Sequence, residues 1–220
     1  MKWLALDCST DTASVAVGEN QCLGSRQQVG VRTHSQKLLH MVNELLSEQQ
    51  WYPESLDAII FGRGPGSFTG LRVACSVVQG MAFAHDLPVY PVSGLQSIAH
   101  HLRLKGEKAP ILAAVDARMN ELYWAIYSGK TMVLAEEQVS HAQQISLTDN
   151  RFVIAGVGVE AYLPQLGEEI RQRIIQVLTI YPNLEAMVDL VLNKHIEPVT
   201  AIQALPVYIR NQVTQGASGG

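Results

Sequence analysis

Residues 62–72 read GRGPGSFTGLR. Gly64, Gly66 and Gly70 permit positive φ and close backbone approach. Thr69 is placed to cap the helix that follows. The first turn of a helix offers unpaired N–H groups and a partial positive charge, so such a loop can cradle an anion. No lysine follows the glycines, which separates the run from a Walker A loop. Two readings stand: a nucleotide contact, or a tight turn that shapes the start of a docking helix. We adopt the second. Arg72, one turn into the helix, then pairs with a carboxylate of its own chain rather than with a phosphate. Asp7 and Ser9 close the first apolar run, LALDCST. An aspartate there can hold hydrated Mg²⁺ beside a phosphate. The turn is short and lacks glycine, so the preferred reading is that Asp7 and Ser9 hydrogen-bond their own turn.

The other reactive side chains assemble no site. Ser67 follows Gly66 directly and does not sit in a GxSxG elbow. Cys75 lies within an apolar helix and reads as inert core. His34 and His40 are six apart, and His100 and His101 are adjacent, so neither pair shares a helix face as metal ligation requires. Asp116, Arg118 and Glu121, in DARMNE, read as an ion-paired turn between strands or a polar contact to a partner. Gly156–Glu160, GVGVE, is the one candidate for an adenosine-binding loop.

These residues need a scaffold. WLALD, ASVAV and CLGSRQQV form three strands separated by polar turns. Thr33 and Gln36 have capping-box spacing, with Ser35 a competing cap. Leu38, Leu39, Val42, Leu45 and Leu46 then recur at helical spacing over 36–50. DAIIFG is a buried strand. The helix over 69–85 is apolar nearly all round, through Val73, Val77 and Val78, so it is covered on more than one side. LPVYPV is a strand and SGLQSIAHHLRL a helix. RLKGEKAP is the linker. ILAAVDA, ELYWAIY, TMVLAEE and FVIAG are further strands, and helices fall near VEAYLPQLGEEI and LEAMVDLVLNKH. Strands followed by helices, twice over, give α/β architecture on the plan of the actin-like fold, with two lobes. The divisions are 1–104, 109–197 and a C-terminal segment, 198–220, that returns to the first lobe.

Composition narrows the function. Hydrophobic residues make up 47% and charged residues 16%, which fits a packed globule with apolar surface to spare for a partner. The net charge of −4 and the absence of a Lys/Arg run disfavour unaided tRNA or DNA binding. Three scattered cysteines fit a reducing cytoplasm. No run approaches about 18 apolar residues, so no membrane span is expected.

LALDCSTDTASVAV, GRGPGSFTGLRVACSVVQGMAFA, AAVDARMNELYWAIY and PVYIRN, in that order, resemble the bacterial TsaB (YeaZ) family across nearly the whole chain. The resemblance implies an actin-like (ASKHA, RNase H-like) fold. It also implies a role in making threonylcarbamoyladenosine next to the anticodon of tRNAs that read ANN codons. A synthase makes threonylcarbamoyl-AMP, the relative TsaD transfers the group, and the small ATPase TsaE joins them. The implied role is a non-catalytic subunit that binds and activates TsaD. It would have no cofactor of its own, with ATP or ADP entering at the interface of the complex. TsaD carries a metal on HxxxH after the strand that PVYPV matches. Gly94 and Ile98 stand there instead, so no metal is expected. The two helices at 36–50 and 69–85 are the expected docking surface, through Leu38, Leu39, Val42, Leu45, Leu46, Val73, Val77 and Val78. They can form a four-helix bundle with TsaD or with a second copy. The rival reading is an ATP-dependent phosphotransferase or ATPase of the same superfamily.

Overall fold

The computed structural model describes residues 1–30, 34–129, 135–148 and 151–210, with the backbone alone at 34–36. Three antiparallel strands open the chain: β1 (Lys2–Asp7), β2 (Thr12–Glu19) and β3 (Gln21–Val29). α1 (His34–Glu48), β4 (Ala58–Gly64), α2 (Phe68–His85), β5 (Val89–Ser93) and α3 (Gly94–Leu104) follow. β4 and β5 add parallel to β1, which gives a five-stranded sheet in the order β3-β2-β1-β4-β5.

The second half repeats the plan. β6 (Ile111–Arg118), β7 (Glu121–Tyr127) and β8 (Gln138–Ser140) are antiparallel, and β9 (Phe152–Val157) and β10 (Ile174–Thr179) join parallel. The sheet order is β10-β9-β6-β7-β8. α4 (Glu168–Gln172) precedes β10, and α5 (Leu184–Leu192) follows it.

Burial organises these elements into stacked layers. α1 and α2 cover one face of the first sheet, where Leu38, Val42, Leu45, Leu46, Ala74 and Val78 meet Leu4, Leu6, Val15 and Phe61. α3 and α5 cover the other face. They are shared with the second sheet in one core that runs from Trp3, Ala5 and Ile60 through Leu95, Ile98 and Met187 to Ala113 and Val153. The outer face of the second sheet is closed by 3₁₀ turns, Ala142–Gln144 and Val159–Gln165, and by α4. The lobes therefore share one core between them, and each has a further core on its outer face. His100 and Asp189 bind at 2.6 Å across α3 and α5. Arg103 donates to the carbonyls of Glu107, Ala109 and Tyr127, which fastens the linker to β7.

Several expectations change. The helix expected near VEAYLPQLGEEI is a 3₁₀ turn with Pro164 inside it, followed by a five-residue helix, because proline removes a donor and breaks the α-helical ladder. β10 was not anticipated. The strand expected at TMVLAEE falls mostly outside the described residues, as do the capping side chains at Thr33, Ser35 and Gln36. The C-terminal segment does return to the first lobe. Val199 pairs with Val89 in both directions, at 3.0 and 2.8 Å, and Val207 N–H donates to the Arg63 carbonyl at 2.9 Å.

Candidate functional site

The carboxyl ends of β1, β4 and β5 meet at the glycine loop. The loop's glycines are used up by the chain itself. A Cβ on Gly66 would lie 2.0 Å from the Ser9 carbonyl oxygen, and one on Gly70 would lie 1.9 Å from that of Cys8. Ser67 N–H donates to the Ser9 carbonyl at 2.7 Å. The loop thus closes on the β1–β2 turn, and close backbone approach is what excludes a side chain there. Gly64 has φ +98°. Ser67, not Thr69, caps α2: its Oγ accepts from Gly70 N–H at 3.3 Å, while Thr69 is exposed. Ser67 holds the true Ncap position, one residue before the helix begins.

Asp7 is 2% exposed. Its Oδ1 accepts the Ser9 N–H at 3.0 Å and the Ser9 hydroxyl at 2.9 Å. Its Oδ2 lies against Gly62 and has no hydrogen-bond partner among the described residues. Burial pushes its carboxyl up to about 6, although both Ser9 hydrogen bonds pull the other way. Asp7 pairs with Ser14, and Ser14 with Gln27, across three strands. With Thr10, Thr12, Val29, Tyr181 and Pro182 this polar row lines a cleft of about 260 Å³.

Among the described residues Arg72 has no carboxylate partner. Its guanidinium stacks 3.7 Å from the Phe68 ring centroid, and its Nε donates to the Tyr208 hydroxyl at 3.2 Å. Ala204, in the same C-terminal segment, accepts from Cys75 Sγ and Gln79 Nε2, both at 3.1 Å. Arg210 pairs with Glu121 and reaches the Arg118 carbonyl. Residues 206–210, PVYIR, are therefore a strap that ties the start of α2 to the β6–β7 turn, which connects three of the sequence motifs. In that turn Asp116 accepts Arg118 N–H at 2.8 Å and the Tyr162 hydroxyl at 2.6 Å, and pairs with the Arg118 guanidinium at 3.2 Å. Burial, with the Asp116 hydrogen bond, holds the Tyr162 phenol up at about 12. The glycines of GVGVE serve packing: a Cβ on Gly156 would lie 1.6 Å from the Ala114 carbonyl, and one on Gly158 would lie 2.9 Å from Asp116 Cβ.

Gly94 opens α3 beside Ser9 and Pro182, and Ile98 is fully buried in the shared core. His40 pairs with Glu44 at 3.2 Å; His34's side chain lies outside the described residues.

The docking residues divide. Leu38, Val42, Leu45, Leu46 and Val78 are at most 3% exposed and belong to the lobe's own core. They cannot meet a partner, because the first sheet already requires that stripe as its cover. Leu39 is exposed, and Val73 and Val77 are half-buried. α2 also presents Thr69, Ser76, Gly80, Phe83 and Ala84 to solvent, with Phe83 85% exposed. The spacing alone could have located this face: Thr69, Val73, Ser76, Gly80 and Ala84 recur at three and four residues.

Residues 24–166 match the family model TsaD, described as tRNA N6-adenosine threonylcarbamoyltransferase. The chain is 34% identical to the tRNA threonylcarbamoyladenosine biosynthesis protein TsaB of Haemophilus influenzae, over 96% of this chain and 94% of that one. It is 32% identical to TsaB of Escherichia coli, over 97% and 96%. The solved structure of YeaZ from Pseudomonas aeruginosa superposes with a TM-score of 0.82 at 35% identity, covering 94% of this chain and 99% of that one. Full-length similarity, the same fold and a C-terminal segment, 206–210, that touches both GPGSFTGLR and DARMNE lead to one conclusion: the chain belongs to the TsaB (YeaZ) family.

Proposed function

We propose that this protein is a non-catalytic subunit of tRNA threonylcarbamoyladenosine synthesis that binds and activates a TsaD-type threonylcarbamoyltransferase. The observation that carries the reading is the outer face of α2. Thr69, Val73, Ser76, Gly80 and Ala84 form a line of small side chains, and Gly80 has open space where a Cβ would point. Small residues let a second helix approach closely, and Phe83 beside them supplies apolar area to bury. Family membership supports the pathway, and the likeness of residues 24–166 to the TsaD model supports a partner built on the same plan. α1 contributes the exposed Leu39. Alone, the chain pairs with a second copy through the same surface. A TsaE-type ATPase joins the pair, tRNA is reached only through the complex, and any ATP or ADP enters at its interface. The setting is cytoplasmic, in keeping with described helices too short or too polar to cross a membrane.

Val73→Glu and Gly80→Glu test this. Each places a charge where association would desolvate it without a partner. Both variants are expected to melt cooperatively by circular dichroism, to fail to co-purify with the TsaD-type subunit, and to abolish modified-nucleoside formation in a reconstituted system. Retained association in both would overturn the docking face. Modification activity of the chain alone would overturn the non-catalytic role.

A further inference from the structure

Arg63, at the end of β4, points away from solvent with its side chain only 11% exposed, and it donates to Glu137 Oε2 at 3.0 Å. Glu137 comes from the other lobe, just before β8, and its side chain is 7% exposed. Its other oxygen meets the hydroxyl of Ser93, the Ncap of α3, which also accepts Gln96 N–H at 3.1 Å. The Tyr127 hydroxyl is buried beside Ser93 and Glu137; among the described residues no hydrogen bond of good geometry reaches it, although Ser93 lies close enough to act on its ionisation. A buried guanidinium, a hydroxyl at a helix N-terminus and a spare phenolic donor therefore converge on one carboxylate. They stand at the carboxyl ends of β4 and β5, where open α/β sheets take ligands. Arginine offers a planar fork suited to carboxylate or phosphate, and the start of a helix favours negative charge.

We propose that Arg63, Ser93 and Tyr127 form an anion-binding site that the protein's own Glu137 occupies, so that the site is closed until a carboxylate- or phosphate-bearing ligand displaces that side chain. Glu137 acts as a tethered ligand. Its high effective concentration keeps free anions out, and its position on the second lobe makes the occupied site a clasp between the sheets. The unused Tyr127 donor marks what a carboxylate leaves unsatisfied and what an anion with more oxygens could reach. This inference is independent of the docking face on α2.

The test is chemical rescue. Glu137→Ala leaves Arg63 buried without a counter-charge, so its melting temperature should fall below that of the wild type. Formate or inorganic phosphate should restore it saturably, beyond the effect of sodium chloride at equal ionic strength. The two anions are separate arms, and tighter rescue by phosphate would assign the site to phosphate-bearing ligands. The wild type should show no such response, because Glu137 already fills the site. Arg63→Gln combined with Glu137→Ala should abolish the rescue. If Glu137→Ala does not fold, Glu137→Ser keeps a polar side chain but vacates the space beside Arg63, and phosphate binding to it is read by calorimetry. Absence of any anion-specific effect in the variant that folds would overturn the proposal and leave the pair a structural clasp. Rescue that survives loss of Arg63 would overturn it equally.

Discussion

The two sheets have one topology and two different fates for the same aspartate. Read as β3-β2-β1-β4-β5 and β8-β7-β6-β9-β10, they place β1 and β6 identically. Each of those strands carries, at or near its carboxyl end, an aspartate whose Oδ1 accepts the N–H two residues on: Ser9 for Asp7 at 3.0 Å, Arg118 for Asp116 at 2.8 Å. Beyond that bond the sites diverge. Asp7 is buried and, among the described residues, has no cationic partner and keeps one oxygen unpaired. Asp116 has a tyrosine hydroxyl and a guanidinium within 3.2 Å. The fold dictates the turn, and the neighbours decide what the carboxylate can do. One sheet carries a buried, protonatable group over a cleft; the other carries a settled polar knot tied to the strap.

The largest expected effect concerns Asp7. Its folded pKa of about 6 lies above the ordinary value of 3.8, so the folded state holds the proton more tightly. Its contribution is most favourable below about pH 4 and is lost as pH rises through 6. A shift of about 2 units corresponds to roughly 3 kcal/mol. Asp7→Asn removes this titration. The stability difference between variant and wild type, from urea unfolding at a series of pH values, should move in the variant's favour by about that amount between pH 4 and 8. The amide adds a pH-independent offset, so the shape of the difference curve carries the test. A flat curve would mean that Asp7 is solvated or paired and that the two aspartates are alike.

A smaller effect is expected in the second turn. Tyr162 is 8% exposed and its hydroxyl donates to Asp116. Tyr162→Phe removes one hydrogen bond and should cost about 1 kcal/mol. Asp116→Ala leaves that hydroxyl and the Arg118 N–H without their acceptor and should cost about 1–3 kcal/mol. A double-mutant cycle on the two positions should show coupling. Additive costs would dissolve the knot into independent contacts.

Much of this arrangement was legible in the sequence, and its failures have physical causes. The spacing of Leu38, Val42, Leu45 and Leu46 identifies a helix with one apolar stripe. It does not say whether that stripe meets the helix's own sheet or a partner, and here it meets the sheet. α2 shows the opposite limit: its apolar residues run nearly all round, so the open face is visible only as the run of small side chains. The glycines at 64–70 announce close approach, but a phosphate and the Ser9 carbonyl make the same demand on a backbone. β10, IIQVLT, is a half-exposed edge strand with no turn residue ahead of it, following a charged helix that reads straight on into it. Contacts such as Arg63 with Glu137, 74 residues apart, leave no local signal.

The smallest expected effect separates the parts of the Asp116 knot from one another. Arg118 donates its backbone N–H to Asp116 and brings its guanidinium to 3.2 Å of the same carboxylate, but that side chain is 82% exposed. Water screens the ion pair, and holding a long side chain in one rotamer has an entropic cost, so exposed pairs of this kind contribute about 0–1 kcal/mol. Arg118→Ala keeps the backbone donor and should change stability by less than about 1 kcal/mol, and less still at high salt. Arg118 also has φ +63°, in the left-handed region. Alanine tolerates that region poorly, so Arg118→Asn is the better control, since asparagine adopts it with less strain. If Arg118→Asn is neutral while Arg118→Ala destabilises, the loss is backbone strain and the guanidinium contributes nothing. If both destabilise equally and salt removes the difference from wild type, the ion pair holds the turn, and Asp116 differs from Asp7 by its cation as well as by its tyrosine.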